Sequence, residues 1–409
     1  MNKTRVNFKW SFISVLTAGV ILLTTLTGFA ASAPAIPAPI VNTLADYSSY
    51  LQTGNTTNTP FYLSQMNALV ADRRKFYQDF VNVALNLNLV GITSQYVTSS
   101  NITDDVQANT HYLEITEVVT LLTSSKISSP DEYPPIQAAE WALSNTSDLP
   151  TEKALQGYLQ AMTDSVNSSL KGTPIEFDLR HKMVIDMNNN QATIVQDSYD
   201  DKSVDNVNGL DVINWTNNQF SRVEPDFTKW PDYYVFHTPI SVMGKSLLDK
   251  YSQIASLASP QVAYSHSRGL QYINTWVKNT SNQVNCSGTP IYQQTANYNP
   301  SYEGIPCDDC ANYVSQALYY GNIPQTSAWS PYNPDWVNAI SLQNWLVNNN
   351  HLVFAGSISQ LQPGDLWWTA DNGHVAMETN VNPYEYSAHT NDRLNRVYVS
   401  DFTKFGLVY

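Results

Sequence analysis

Partway along this chain the apolar residues stop recurring every three or four positions and begin to alternate. From Tyr62 to Leu87 the apolar positions Met66, Leu69, Val70, Phe76, Tyr77, Phe80, Ala84 and Leu87 fall on one helical face. A second stretch of that kind runs from Thr151 to Leu170 through Leu155, Tyr158, Leu159, Met162 and Val166, and Thr151 and Glu152 suit its first turn. Then Ile175, Phe177 and Leu179 alternate with polar residues, as do Met183, Ile185 and Met187. The turn Asn188-Asn189-Asn190 leads into Ala192 and Ile194, which reads as a hairpin. A further strand is expected over 233–242, around Pro239. Helices followed by antiparallel strands specify an α+β domain over residues 61–255. Its histidines His111, His181 and His237 have no partners at catalytic spacing and read as structural.

A second set of elements begins near Tyr264. A helix is expected over Arg268–Lys278, carrying Leu270, Ile273, Trp276 and Val277, and another opens at Cys310. An aromatic-rich helix follows at Ser341–Val347, then strands near 365–368, 374–379 and 397–402. A chain this long exceeds one comfortable hydrophobic core. The expectation is therefore an α+β protein with an N-terminal accessory domain at 61–255 and a separate C-terminal domain at 264–409. Residues 34–60, rich in Pro, Ser, Thr and Asn, read as a flexible leader. The order of elements in the accessory domain faintly resembles the cone-shaped NTF2-like domains.

The first 33 residues set the compartment. Lys3, Arg5 and Lys9 precede an uncharged apolar run from Phe12 to Ala31, and small residues follow. This is the pattern of a secretory signal peptide, and the mature protein is expected to be secreted or held at the cell surface. Nothing later is apolar enough to span a bilayer, so no membrane contact is expected after cleavage. The whole chain has 21 Lys+Arg against 35 Asp+Glu, and without those three N-terminal cations the net charge is −17. Such an excess of negative charge argues against nucleic acid as a partner, because phosphates seek basic surfaces.

Three cysteines in an exported chain leave one unpaired. Cys310 sits in the segment Pro306-Cys307-Asp308-Asp309-Cys310-Ala311-Asn312-Tyr313, where Asp308 or Asp309 can cap the helix that follows. In the first turn, unpaired backbone N–H groups and the helix dipole favour a thiolate, and the same groups can hold an oxyanion. Downstream, Asn372-Gly373-His374-Val375 places His374 at a strand start, in position to act as the base of a thiol nucleophile. His389, in Ser387-Ala388-His389-Thr390-Asn391-Asp392-Arg393, is placed to orient His374, with Asn391 and Asp392 as alternatives for that role. Asn312 and Gln316 read as structural hydrogen bonders, and of Trp367 and Trp368 at most one can face a groove.

Asp309-Cys310 opening a helix, Pro363-Gly364-Asp365-Leu366 opening a strand and Gly373-His374-Val375 opening the next resemble the NlpC-like cell-wall endopeptidases and CHAP amidases. More closely, Asp309-Cys310-Ala311-Asn312-Tyr313-Val314-Ser315-Gln316 and His389-Thr390-Asn391-Asp392-Arg393 resemble the bacterial putative amidase domain family over residues 264–409. That resemblance implies a papain-like fold, the triad Cys310, His374 and His389, and hydrolysis of an amide or peptide bond through a thioester. The sequence departs from the family where Cys307-Asp308 stands in place of glycine. Peptidoglycan peptides are the expected substrate class by analogy, and no cofactor or metal is implied. Cys286 and Cys307 are expected to form a disulfide, leaving Cys310 free. The alternatives are a Cys307–Cys310 redox motif and a non-catalytic surface module that kept the fold.

Overall fold

The structure is a computed structural model, and it describes residues 37–409 apart from 55–64, 106–108, 200–213, 217–218, 222–226, 258–263, 278–297, 303, 306–307, 390–392 and 399–401. The expected signal peptide, the Cys286–Cys307 disulfide, Asn391 and Asp392 all lie outside the described residues. Two segments precede the first sheet, α1 (Ala38–Thr53) and α2 (Gln65–Asp79), the latter ending in a π-turn through Ala84. The expected flexible leader is thus a helix over much of its length. Pro37 and Pro39 start it, and Ile40, Leu44, Tyr47 and Leu51 recur at helical spacing and are buried.

Strands β1 (Leu87–Asp105), β2 (Thr110–Ser125), β3 (Ile175–Asn188) and β4 (Gln191–Tyr199) form an antiparallel meander in sequence order. The β3–β4 turn uses Asn189 and Asn190 at positive φ, a conformation that asparagine tolerates. Between β2 and β3 the chain forms α3 (Pro134–Ser144) and α4 (Leu149–Ser169); Asp148 caps α4 by accepting from the Thr151 N–H. After the short hairpin β5 (Asn214–Thr216) and β6 (Gln219–Ser221) come α5 (Pro231–His237) and α6 (Ile240–Leu257). The strand expected over 233–242 is therefore two helices. Pro231 opens the first, Pro239 separates the two, and Met243, Leu247, Tyr251 and Ile254 are buried at a spacing of three to four.

The C-terminal half contributes α7 (His266–Thr275), α8 (Cys310–Tyr320), α9 (Pro334–Val337) and α10 (Ala339–Asn348). Its strands are β7 (Leu352–Phe354), β8 (Leu366–Thr369), β9 (Val375–Val381), β10 (Tyr384–Ala388), β11 (Arg393–Val397) and β12 (Phe402–Val408). They form one antiparallel sheet in the order β11-β10-β9-β8-β12-β7. Of the strand expected at 397–402, Val397 ends β11, Phe402 begins β12 and residues 399–401 lie outside the described residues. None of the described helices is long and apolar enough to cross a membrane.

Strand alternation sends side chains from this sheet into two cores. Leu366, Trp368, Val375 and Met377 pack against α7–α10. Trp367, Ala376, Tyr384 and Phe402 pack against α3, α4 and α6. Both tryptophans of the Trp367-Trp368 pair are fully buried, one in each core, so neither faces a groove. Residues 36–409 form one compact unit, and the sheet that bears the C-terminal motifs is covered on one face by helices from before residue 258. The four-stranded sheet has its own core with α1 and α2.

Inside that third core lies a buried charge network. Arg73 donates to Glu117 at 2.9 Å, and His181 sits between Glu117 (2.7 Å) and Asp197 (2.8 Å). Tyr47 donates to Asp197 at 2.9 Å, and Ser94 donates to Glu117. Burial raises the Glu117 carboxyl, but Arg73 and His181 outweigh it and hold it at about 2. His181 keeps its structural reading, although it does have partners. They come from neighbouring strands, where sequence spacing does not reveal them.

Candidate active site

Helix α8 is buried along nearly its whole length, and Cys310 is its first residue. The thiol is free and 2 % exposed. Its sulfur receives backbone N–H groups from Val375, at the start of β9, and from Ala311. The fold thus brings the helix N-terminus to the tip of the strand that follows His374, as the motif order suggests. The electrostatics differ from the expectation. Burial is the largest influence and pushes the Cys310 thiol up to about 11. The nearby Asp308 and Asp309 carboxylates add to this, and the two N–H groups oppose it only in part. The helix N-terminus does not produce a resting thiolate because desolvating the charge outweighs it.

His374 is half-buried. Alternation puts its side chain on the Ala376 side of β9, and its ring lies against Phe402 with ring centres 5.8 Å apart. Its backbone N–H is fixed by the Thr369 hydroxyl at 3.0 Å, while its ring makes no hydrogen bond among the described residues. Burial lowers the imidazole to about 4, and Asp371 works weakly against that. Asp371 ties the preceding turn together by accepting from the Thr369 hydroxyl (2.7 Å) and the Gly373 N–H (2.9 Å). Cys310 and His374 therefore flank one strand tip from opposite faces of the sheet, the thiol on the Val375 side and the imidazole on the Phe402 side; no hydrogen bond joins them, and each is neutral at pH 7.

His389 is placed differently from the orienting role read for it. Its Nδ1 faces Asp309 Oδ2 at 2.6 Å and its Nε2 faces the Trp276 carbonyl at 2.7 Å, so neither nitrogen is left for His374. The ring stacks flat on Tyr313, with centres 3.7 Å apart and planes 5° apart. Asp309 occupies the N-cap position without capping by its side chain. Its other oxygen accepts from the Ile305 N–H and from Asn312, both at 2.8 Å, and Asn312 in turn accepts from the Trp336 indole at 2.9 Å. Asp309 is the residue that sequence reasoning undervalued: read there as a cap, it ties α8 to His389 instead. Asn312 and Gln316 are structural, as read, the latter through Tyr272 of α7.

Comparison with known proteins agrees with this region. Residues 263–400 match the family model described as a putative amidase domain. The uncharacterized protein YjcM of Bacillus subtilis (strain 168) is 28% identical over 122 residues, which is 25% of this chain and 30% of that protein. The chain therefore spans less than a third of the curated relative it matches. No solved structure matches the chain.

Proposed function

We propose, on the premise that residues 263–400 are a putative amidase domain, that this chain is an exported cysteine hydrolase of amides. Cys310 is its nucleophile, His374 its base and His389 a positioning residue. The observation that carries this reading is a free thiol at the first turn of a buried helix, with two backbone N–H groups on its sulfur, at the tip of the strand that follows His374. A helix bearing the thiol and packed on an antiparallel sheet that bears the imidazole is the papain-like order of elements.

In the reaction the Cys310 proton passes to a ring nitrogen of His374 as sulfur attacks the substrate carbonyl. The C–N bond then breaks, and the imidazolium returns the proton to the departing amine. Water, deprotonated by the same imidazole, hydrolyses the thioester. At rest the His374 ring lies on the Phe402 face of the sheet and Cys310 on the Val375 face, so this reaction requires the ring, which no hydrogen bond holds, to swing around the strand tip to the thiol. The N–H groups of Val375 and Ala311, which hold the sulfur at rest, serve as donors to the developing oxyanion. Asp309 and His389 fix the helix start against α7 and β10, and so fix the sulfur. An exported enzyme of this kind meets wall peptides, which makes peptidoglycan stem peptides the leading substrate by analogy.

One observation favours a second reading, a non-catalytic surface module: thiol and imidazole are unbonded and neutral at rest. Amine release from a panel of N-acyl dipeptide amides decides between the two. Hydrolysis by the mature chain that disappears in Cys310→Ala and His374→Ala supports the enzyme. Hydrolysis that survives in Cys310→Ala, or none on any member of the panel, supports the module.

A further inference from the structure

At the end of β8 away from the thiol, a cleft of about 720 Å³ opens between α4, α6, α7 and the strand end at Val408 and Tyr409. Trp368, which pairs with Val375 beside the sulfur, and Asp365 beneath the cleft are three strand positions apart, about 10 Å. The cleft is thus separate from the reaction proposed above. Its volume falls within the range of small-molecule sites. Tyr158, Tyr251 and Tyr264 line it, and their hydroxyls are already spent on the carbonyls of Ser359, Gln360 and Gly364 at 2.7, 3.4 and 3.2 Å. These tyrosines form the buried floor of the cleft, and the apolar surface open to a ligand comes from Ala154, Ala161 and Leu257.

His266 lines the cleft and is held from behind. Its Nε2 lies 3.2 Å from Oδ1 of Asp365, a fully buried carboxylate, and 3.2 Å from the Gln362 amide. Asp365 is fixed in turn by the N–H groups of Val408 and Gln362 at 2.8 and 2.9 Å. Gly364, at φ +102°, packs so closely that a Cβ there would meet His266 carbons at 3.0 Å. The ring is therefore clamped, and its Nδ1 makes no hydrogen bond among the described residues. Charge is the second observation. The chain carries 35 acidic and 21 basic residues, yet no Asp or Glu lines this cleft. Lys153 stands at its rim with no ion pair among the described residues.

We propose that this cleft binds a small organic carboxylate with an apolar body, its anionic head between Lys153 and His266 Nδ1 and its body on the side chains of Ala154, Ala161 and Leu257. One ammonium and one imidazole, with no arginine fork, suit a monoanion better than a phosphate. The test titrates the full mature chain with hexanoate and with hexanol, following bound ligand by saturation-transfer NMR. Hexanoate should bind roughly tenfold more tightly than hexanol, the difference one charge-assisted contact makes. Lys153→Met, at an exposed position, should abolish that preference. Lys153→Arg should keep it, and Cys310→Ala should leave it unchanged. Equal affinity for acid and alcohol, a preference that survives Lys153→Met, or no saturable binding of hexanoate would each overturn the proposal.

Discussion

Glu385 lies on β10 with 2 % exposure, in the layer where the C-terminal sheet meets the helices that precede it. One carboxyl oxygen accepts from Asn380 at 3.2 Å, and the other has no partner among the described residues. No lysine or arginine pairs with it there. Burial pushes its carboxyl up to about 8. The neighbouring acids Glu378 and Asp232 are fully buried and are also raised well above the carboxylate range, chiefly by burial. A raised folded-state pKa contributes stability that is complete below the unfolded value, about 4.3 for Glu, and is lost as pH rises to about 8. Across that window the native state holds a proton that the unfolded chain has released, so stability falls by about 1.4 kcal/mol per pH unit. The total from this one residue is about 5 kcal/mol. Glu385→Gln keeps the shape and the Asn380 hydrogen bond but cannot ionise. Urea unfolding at a series of pH values from 4 to 9 should show the variant gaining on the wild type steadily above pH 5, with a plateau near pH 8. The two pH profiles running parallel, or the variant weakening relative to wild type as pH rises, would refute the reasoning.

Three further outcomes are expected. Alkylation of Cys310 by iodoacetamide should rise with pH towards a midpoint near 11, whereas a plateau already reached at pH 7 would show a resting thiolate. Glu117→Gln should cost about 3–5 kcal/mol in denaturant unfolding, because it leaves the buried Arg73 guanidinium without its counter-charge; a loss below about 1 kcal/mol would mean the network relaxes around it. Gly172→Ala should lower the melting temperature markedly, since φ is +83° and a Cβ would lie 1.8 Å from the Thr123 carbonyl oxygen; an unchanged melting temperature would contradict that packing.

The parts of the fold that could be read from sequence are those whose pattern is local. The α4 and α2 periodicities, the β3–β4 hairpin with its asparagine turn, and the helix opening at Cys310 all follow from spacing and turn chemistry. The strand expected at 233–242 failed because an apolar run split by proline fits two short helix turns as well as an edge strand, and packing on the C-terminal sheet decides between them. Helix α1 was hidden by its Ser, Thr and Asn content, although its Ile40-Leu44-Tyr47-Leu51 stripe is regular. The site was legible in its residue types and less so in their roles. Cys310 and His374 come to the same strand tip along the backbone, but alternation turns their side chains to opposite faces of the sheet. Sequence order could not show that β10 delivers His389 to Asp309 and Trp276, which takes both of its nitrogens. Nor could helix position alone set the thiol's titration, because burial depends on the whole packed layer around α8.

The central claim is that Cys310 becomes acylated with His374 as its base. The most direct measurement is intact-mass analysis of the mature chain at pH 7.5 after brief exposure to an activated acyl ester, followed by peptide mapping. The account predicts a single acyl adduct on Cys310 in the wild type, no adduct in Cys310→Ser, and at least a hundredfold slower acylation in His374→Ala, the scale of a lost general base. An adduct that forms on Cys310 at the same rate without His374, or that forms elsewhere in the chain, would contradict it.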